Sequence, residues 1–328
     1  MIVSRAPNRF SLGGGGSDLP AYASVHGGFV VSAAIDKYVY VTANRRFYRS
    51  IRLAYSKTEV VERAADVEHP IVREALAMVG IDDGIELTSV ADLPANSGLG
   101  SSSTFSVALL NALHAYKREF VSSRQLAEEA CQIEIDRLGE PCGRQDQYIA
   151  AFGNVCALTF ERDGSVHVEP LQVKDEVLDE LESNLVIVYS GVERAARTVL
   201  EEQAVVLASG GAPEMDRIKA IGHEVARLLT RGDVDAYGEL LHEHWTRKRK
   251  LAASMSDASL DEHYEAARAA GAIGGKLMGA GGGGFFMFYC RPAERRRVIE
   301  TMQARGLMRL RFRFDLDGAR IVANLHRS

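Results

Sequence analysis

The chain has 328 residues, 46% of them hydrophobic and 25% charged, and carries a formal net charge of −5 at pH 7. This balance is typical of a globular protein, and it excludes a disordered chain and a general nucleic-acid binder, which would need an excess of basic residues. Because hydrophobic cores stop growing at about 250 to 300 residues, we expect two domains with a small ligand in the cleft between them.

The four cysteines are far apart and form no CxxC pair, so neither a zinc ribbon nor a disulfide framework is predicted. Isolated cysteines of this kind are typical of a reducing cytoplasm. The first ten residues contain Arg5 and Arg9 and no apolar signal segment, and no stretch is long and apolar enough to span a bilayer. We therefore expect a cytoplasmic protein without a membrane anchor.

The N-terminal part has the pattern of a sheet, because short apolar runs alternate with glycine or charged turns. One amphipathic segment, Ile71–Val79, predicts a helix within it. The predicted strands are Ile2–Ala6, Asn8–Leu12, Phe29–Ile35, Tyr38–Thr42, Ile51–Tyr55 and Ile85–Val90.

A glycine- and serine-rich loop, Pro94–Ser103, leads directly into a predicted helix whose apolar positions run from Phe105 to Tyr116 at helical spacing. The serines therefore lie at a helix N-terminus, where free backbone N–H groups and the helix dipole favour an anion such as phosphate. The loop is not a Walker A motif, because no Lys-Ser or Lys-Thr pair follows it. A serine-capped helix after a glycine turn fits the loop equally well.

Two carboxylates follow in unusual positions. Glu134 lies on the apolar stripe of a predicted helix, Arg124–Leu138 with Ser123 as N-cap, so its charge needs a partner, either Mg²⁺ or a buried arginine. Asp146 lies in the first turn of a short predicted helix, Gln145–Ala151, where the helix dipole favours a carboxylate. Plain N-terminal capping explains Asp146 somewhat better than catalysis does, as far as the residues alone decide.

The second half begins near residue 175, within the charged segment Lys174–Glu182 that follows a predicted strand at Asn154–Phe160. A strand at Leu185–Tyr189, several helices up to Ala270, a glycine-rich loop, a strand at Phe285–Cys290, a helix and two last strands complete the order. This order favours an α+β second domain.

Two further glycine stretches compete as ligand loops. Gly279–Gly284 formally matches GxGxxG, but it leads into a strand rather than a helix, so a dinucleotide fold is not predicted; it fits a mobile connector or a close backbone contact. Gly13–Gly16 is followed by Ser17 and Asp18, a hydroxyl and a carboxylate that suit sugar hydroxyls. An Asx-type turn explains the same residues.

In this order the three stretches resemble the signature motifs of the GHMP kinases, the superfamily of galactokinase, homoserine kinase and mevalonate kinase. The first motif is Ala6–Arg9 with Gly13–Asp18, the second is Pro94–Ser103, and the third is Lys276–Gly284. The resemblance implies an α+β fold with an N-terminal domain like ribosomal protein S5 domain 2, a ferredoxin-like C-terminal domain, and ATP between them. We assign residues 1–175 to the first domain and residues 176–328 to the second.

The resemblance also implies roles for single residues. Ser102 and Glu134 match the magnesium ligands of the family, Asp146 matches the catalytic base, and Arg9 matches the basic residue beside it. Arg144 departs from the galactokinase pattern, which leaves the local substrate contacts in question. The implied ATP-binding residues are Pro94, Ser97, Gly98, Leu99, Gly100, Ser101, Ser102, Ser103, Gly281 and Gly282. The implied substrate-binding residues are Gly15, Gly16, Ser17, Asp18 and Asp146.

Within the superfamily, the chain is similar over nearly its whole length to D-glycero-D-manno-heptose 7-phosphate kinases. This similarity rests on Ser4–Pro7, on Tyr189–Gly191 with Arg194, on Leu240–His242 with Trp245 and Lys248, and on Gly271–Lys276. It implies phosphorylation of O1 of the heptose 7-phosphate with ATP and Mg²⁺. An L-fucose kinase or a galactokinase-like enzyme is the alternative, and a sugar and ATP sensor without catalysis is the alternative of another class.

Overall fold

The computed structural model describes residues 1–95, 97–192 and 196–325. Its described residues form two β-sheets, one of eight strands and one of four, with helices on their faces. The strands are β1 Ile2–Gly13, β2 Gly28–Arg45, β3 Ile51–Ala54, β4 Thr58–Val61, β5 Ile85–Ala91, β6 Val155–Phe160, β7 Val166–Pro170, β8 Leu185–Tyr189, β9 Gly274–Leu277, β10 Phe285–Tyr289, β11 Met308–Leu310 and β12 Arg320–Asn324.

Eleven α-helices lie among these strands along the described residues. They are α1 Pro20–His26, α2 Pro70–Val79, α3 Ser101–Lys117, α4 Ser123–Cys131, α5 Gln145–Phe152, α6 Asp175–Asn184, α7 Ala196–Val206, α8 Ala212–Arg231, α9 Val234–Lys248, α10 Ala258–Ala269 and α11 Pro292–Ala304. π-helical turns, Gln132–Arg137 and Leu207–Gly211, continue α4 and α7. Within the described ranges no helix is both long and apolar enough to cross a bilayer.

The first sheet has the strand order β12-β1-β2-β5-β3-β4, with β6 on the other half of β2 and β7 beside β6. All pairs are antiparallel except β3 with β5. Helices α2 to α5 cover one face of this sheet, where Val72, Leu109 and Ile149 are fully buried in a shared apolar core. This packing fixes the N-terminal end of α3 beside the first residues of the chain.

Two predictions for this sheet were wrong. The two strands expected at Ile2–Ala6 and Asn8–Leu12 are one continuous strand, β1. The two strands expected at Phe29–Ile35 and Tyr38–Thr42 are one continuous strand, β2, because the polar residues between them form a bulge and not a turn. The register against β1 shifts there, from Pro7 opposite Tyr38 to Asn8 opposite Ile35. The bulge lies where β2 changes its second partner from β6 to β5.

The second sheet has the order β11-β8-β10-β9 and is antiparallel throughout. Residues of β8 alternate between its two faces, as a strand requires. Val186 and Val188 pack with α10 and α11, whereas Leu185 and Ile187 pack with α8, α9 and the first sheet. The predicted α+β organisation of the second half is therefore present.

The end of the chain returns to the first sheet, where β12 pairs with β1 from Ile2 opposite Asn324 onwards. Phe312 contacts Phe10 edge to face on the way. The charged segment expected as a passage between the halves is the helix α6, which begins at Asp175. The division of the chain at residues 175 and 176 stays a prediction.

The helix predicted as Arg124–Leu138 differs in two details. Its N-cap is Ser122 rather than Ser123, because the side chain of Ser122 accepts a hydrogen bond from the backbone N–H of Gln125. After Cys131 the helix widens into the π-helical turn, which contains Glu134. Such turns are rare, and they commonly occur at functional sites.

Candidate active site

A cavity of about 840 Å³ lies between the loop after β5, the N-terminal end of α3, the loop after β1 and the start of α5. It collects most of the residues that the sequence predicts for the site. Those that line it are Arg9, Gly15, Gly16, Asp18, Ser97, Gly98, Gly100, Ser101, Ser102, Ser103, Glu134 and Asp146. Those that do not line it are Pro94, Leu99, Ser17, Gly281 and Gly282.

Arg9 and Asp146 form a bidentate ion pair in the cavity. Arg9 Nε and Nη2 each donate to one carboxylate oxygen of Asp146 at 2.7 Å, and Nη1 donates to the carbonyl oxygen of Gly98 at 2.8 Å. Arg9 is buried in β1, and Asp146 lies in the first turn of α5. The guanidinium thereby fixes the carboxylate of Asp146 against the glycine- and serine-rich loop.

Asp18 is a second carboxylate at this end of the cavity, and Gln145 holds it. Its oxygens accept hydrogen bonds from the backbone N–H groups of Gly16 and Gln145 and from the side-chain amide of Gln145 at 2.9 Å. Burial raises the pKa of Asp18, and the nearby Asp146 carboxylate raises it further. Gly143 lies against this carboxylate, and a β-carbon there would collide with it.

Ser17 points away from the cavity. Its hydroxyl donates to the carbonyl oxygen of Phe29 and accepts from the backbone N–H of the same residue, and the side chain is fully buried. Its only hydroxyl hydrogen is therefore used, so the structure supports a role in shaping the Gly13–Gly16 loop and gives Ser17 no contact with a sugar.

Glu134 is 2% exposed and has only neutral hydrogen-bond donors around it. One carboxylate oxygen accepts from Ser102 and Ser106, and the other accepts from Ser103 and Gln147. Burial raises the pKa of Glu134, although these four donors oppose the shift. The buried negative charge thus lacks a cation among the described residues.

This donor set fits Mg²⁺. Carboxylate and hydroxyl oxygens are hard ligands of the kind this ion takes, and it usually completes its shell with water and phosphate oxygens. The described residues contain no cluster of three His, Cys, Asp or Glu side chains that could hold a metal alone. A site with one carboxylate and the Ser102 hydroxyl is therefore of the kind that needs the phosphates of a nucleotide.

Two glycines and several backbone contacts define the path of the glycine- and serine-rich loop at residues 98–101. Gly98 and Gly100 have φ of 80° and 79°, which side chains other than glycine rarely adopt. The carbonyl oxygen of Leu99 accepts from the backbone N–H of Arg9 and from Asn8, while the Leu99 side chain is buried in the core. Pro94 is exposed, and its carbonyl oxygen accepts from Ser101 at 3.4 Å.

The N-terminal end of α3 offers the loop's anion site. Thr104 N–H donates to the Gly100 carbonyl as the first intrahelical bond, so the N–H groups of the preceding serines have no partner within the helix. Together with the helix dipole, these donors fit the phosphates of a nucleotide.

The Gly279–Gly284 loop joins β9 and β10 and packs on the glycine- and serine-rich loop. A β-carbon on Gly279 would lie 2.7 Å from Gly98 Cα, so the two backbones touch. Gly279 and Ala280 line the cavity. Gly282 N–H donates to the carbonyl oxygen of Met255, and Gly281 packs against the same methionine. The loop therefore supports the second motif by close backbone contact.

Gly98→Ala tests this contact between the loops. A β-carbon at residue 98 would lie 2.8 Å from the Met278 carbonyl oxygen, at a φ that strains alanine, so we expect KM for ATP to rise roughly tenfold or more. Steady-state kinetics with varied ATP measure this. Gly80→Ala is the matched control, since Gly80 has φ of 70°, no atom within 4 Å of its added β-carbon, and a place outside the cavity. Equal KM values for both variants would contradict the role of the contact.

The opposite end of the cavity is apolar and aromatic. Tyr55 and Phe105 both contact the His69 ring, at centroid distances of 4.9 and 5.2 Å. Burial lowers the pKa of His69, so a neutral ring is favoured there. Val39 and Ile71 complete this end, which suits a flat heterocycle.

Sequence reasoning missed four polar residues of the site. Gln145 and Gln147 hold the two buried carboxylates, and Lys248 and Lys276 line the cavity from the second half. The alternation of β9, whose Leu277 is in the core, could have indicated that Lys276 points to the other face. Arg194, quoted above for the resemblance, lies outside the described residues.

Two protein families match the chain. Residues 60–154 match the family described as GHMP kinases N terminal domain, and residues 225–306 match the one described as GHMP kinases C terminal. Together the two matches span more than half of the chain.

Individual relatives are similar over most of the chain. The D-glycero-alpha-D-manno-heptose 7-phosphate kinase of Campylobacter jejuni is 27% identical over 92% of this chain and 93% of its own length. The bifunctional fucokinase/GDP-fucose pyrophosphorylase of Arabidopsis thaliana is 25% identical over 89% of this chain but covers only 30% of its own length.

The solved structure of a D-glycero-D-manno-heptose 1-phosphate kinase from Bacteroides thetaiotaomicron is similar to the whole molecule. It is 28% identical, has a TM-score of 0.83, and covers 99% of this chain and 100% of that chain. This likeness confirms the predicted α+β fold class.

Proposed function

The chain belongs to the GHMP kinase superfamily, and on that premise we propose that it transfers the γ-phosphoryl group of ATP to the anomeric hydroxyl of D-glycero-D-manno-heptose 7-phosphate. The observation that carries the proposal is the Arg9–Asp146 pair, which lines the same cavity as Ser102 and Glu134. The Asp146 carboxylate, a magnesium-type donor set and the N-terminal end of α3 thus line one pocket, which supports the proposal.

Asp146 accepts the proton of the anomeric hydroxyl in the proposed reaction. The sugar oxygen then forms its bond to the γ-phosphorus, the bond from that phosphorus to the bridging oxygen of ADP breaks, and ADP leaves with the electron pair. Arg9 holds the Asp146 carboxylate by two hydrogen bonds and adds positive charge where negative charge develops. Asp18, fixed by Gln145, accepts hydrogen bonds from other sugar hydroxyls.

Ser102 and Glu134 would hold Mg²⁺, which when bound neutralises phosphate charge. The backbone N–H groups at the start of α3 bind the phosphates, and the aromatic end with Tyr55, His69 and Phe105 binds the adenine. Each of these contacts positions the nucleotide without taking part in proton transfer.

Heptose 7-phosphate is supported by the name of the Campylobacter jejuni relative, whose alignment covers most of this chain. The name of the Bacteroides thetaiotaomicron protein, a heptose 1-phosphate kinase, supports a heptose phosphate as substrate but not O1 as the site of transfer. The free cysteines, three of them buried, fit the cytoplasm as the place of the reaction. The proposed partners are small molecules only, a sugar phosphate and the nucleotide.

A set of parallel incubations tests the function. The protein is mixed with ATP, Mg²⁺ and, in separate samples, heptose 7-phosphate, L-fucose and galactose, and the products are followed by phosphorus NMR. We expect a new anomeric phosphate signal with heptose 7-phosphate at a rate at least tenfold above the neutral sugars. Faster transfer to fucose or galactose would show that the proposed substrate is wrong. Transfer to none of the sugars would favour a sensor without catalysis.

A further inference from the structure

Two buried lysines line the cavity, and the reaction proposed above gives neither of them a role. Lys248 is the last residue of α9 and is 5% exposed, and Lys276 lies in the middle of β9 and is 2% exposed. Both line the cavity that contains Asp18 and Asp146. They bring two positive charges from the second sheet and its helices to the substrate.

These ammonium groups have few partners. Lys248 Nζ donates one hydrogen bond, to the carbonyl oxygen of Gly279 at 2.6 Å. In the ranges that the structure describes, Lys276 Nζ has no hydrogen bond, and neither lysine forms an ion pair. Each ammonium carries three N–H donors, so five of the six donors of the two groups have no partner among the described residues.

Buried cations without a counter-ion are costly. Burial lowers the pKa of Lys248 to about 8, against the opposing effect of Asp18. Burial, Lys248 and Arg9 together hold the pKa of Lys276 well below its ordinary value. The neighbouring His244 adds no charge, because burial and both lysines keep its pKa far below the usual range and its ring is neutral. An anionic ligand would remove this cost.

We propose that Lys248 and Lys276 bind a phosphate group carried by the sugar substrate, an inference that rests on the sugar kinase function proposed above. The nucleotide phosphates already have the α3 N-terminus, Ser102 and Glu134 as candidate ligands in the cavity. Asp18 and Asp146, the carboxylates assigned to the sugar, are close enough to Lys248 to raise its pKa. A phosphate dianion between the lysines neutralises both, whereas a neutral sugar leaves both uncompensated, so the pair selects phosphorylated sugars.

Lys276→Met is the decisive variant, because it removes the charge and keeps the length of a buried side chain that makes no hydrogen bond to the described residues. Dissociation constants for heptose 7-phosphate and for heptose are measured without nucleotide, by calorimetry and, for weak binding, by ligand-observed NMR. We expect roughly 10- to 100-fold weaker binding of the phosphorylated sugar and less than a twofold change for heptose. Lys250→Met is the control, since Lys250 is a neighbour of Lys248 that pairs with Glu214 outside the cavity.

Lys248→Met should weaken binding of the phosphorylated sugar to the same extent. The affinity of this variant for ATP is also measured, because the variant loses the hydrogen bond from Lys248 to Gly279. Equal losses for both sugars, or a loss for ATP alone in Lys276→Met, would overturn the proposal, and the latter would assign the lysines to the transferred phosphoryl group.

Binding and turnover separate this inference from the proposed function. A wild-type protein that binds heptose 7-phosphate through the lysines but does not phosphorylate it would contradict only the function. A wild-type protein that phosphorylates it while both lysine variants bind it normally would contradict only the inference.

The pH dependence of binding gives a second readout. Lys248 is charged below its pKa of about 8 and neutral above it, and a sugar phosphate is a dianion above about pH 6. Affinity should therefore be highest between these values and fall above pH 8 in the wild type, and Lys248→Met should lack most of the fall. The charged and titratable groups that surround Lys248 are Asp18, Arg9, Asp146, Lys276 and His244. If the affinity of Lys248→Met falls in the same way above pH 8, the fall does not come from Lys248, which would contradict its role in binding the phosphate.

Discussion

Asp146→Asn is expected to lower kcat by about 10³-fold or more while ATP still binds. A positioned general base contributes about 10²- to 10⁴-fold, and an amide cannot accept the proton of the sugar hydroxyl. The side chain keeps its size, but its amide nitrogen would face one of the two Arg9 donors, so one of the 2.7 Å hydrogen bonds is lost as well. Single-turnover measurements with saturating sugar phosphate give the chemical step, and equilibrium titration gives nucleotide affinity.

The control for Asp146→Asn is a second bidentate arginine pair. Arg217 Nε and Nη2 donate to the two carboxylate oxygens of Glu243 at 2.8 and 2.7 Å, outside the cavity. Glu243→Gln breaks the same geometry and should leave kcat within about twofold, since such a partly exposed pair contributes little. Asp146→Asn with more than a tenth of wild-type kcat would remove Asp146 from the role of base.

The local parts of the site were predictable because each lies beside an element with a clear period. The apolar stripe from Phe105 to Tyr116 places the serines at the start of α3, and the stripe through Cys131 places Glu134 in the interior. The structure brings both segments together, with Ser102 and Glu134 in direct hydrogen-bond contact. This hydrogen bond joins residues 32 positions apart, and it forms because α3 packs on the turn after α4. The sequence predicted each of the two helical segments, but not their contact.

The remaining features depend on contacts that no local pattern encodes. The direction of the Ser17 hydroxyl depends on Phe29, and the last strand β12 pairs with the first strand of the chain. Lys248 and Lys276 are lysines at a helix end and in a four-residue strand, positions that ordinarily face water. Only the packing of β9 on α9, and of α9 on β1, makes them part of the cavity.

Glu134→Gln is expected to remove at least about 99% of activity, because the magnesium-type site loses its only described carboxylate. The folded protein should be at least as stable as the wild type without ligands. Burial raises the pKa of Glu134, so the charged carboxylate costs folding free energy once the pH exceeds the ordinary value of a glutamate. The amide carries no charge, and Gln147, whose side-chain oxygen has no partner, can turn to accept from it.

Thermal unfolding with and without ligands measures both effects of Glu134→Gln. For the wild type, Mg²⁺ together with a non-hydrolysable ATP analogue should raise Tm more than the analogue alone, and this difference should vanish in the variant. Without ligands, the wild type should lose stability relative to the variant as the pH rises above the ordinary pKa of a glutamate.

A comparison of Ser102 and Ser106 distinguishes a hydroxyl that binds magnesium from one that only holds Glu134 in place. Ser102 and Ser106 donate to the same oxygen of Glu134, at 2.9 and 3.0 Å, but only Ser102 lines the cavity. Ser102→Ala should therefore lose most of the Mg²⁺-dependent rise in Tm, whereas Ser106→Ala should keep it. Equal behaviour of the two alanine variants would show that the hydroxyls only hold the carboxylate, and the metal would then have to be bound without Ser102.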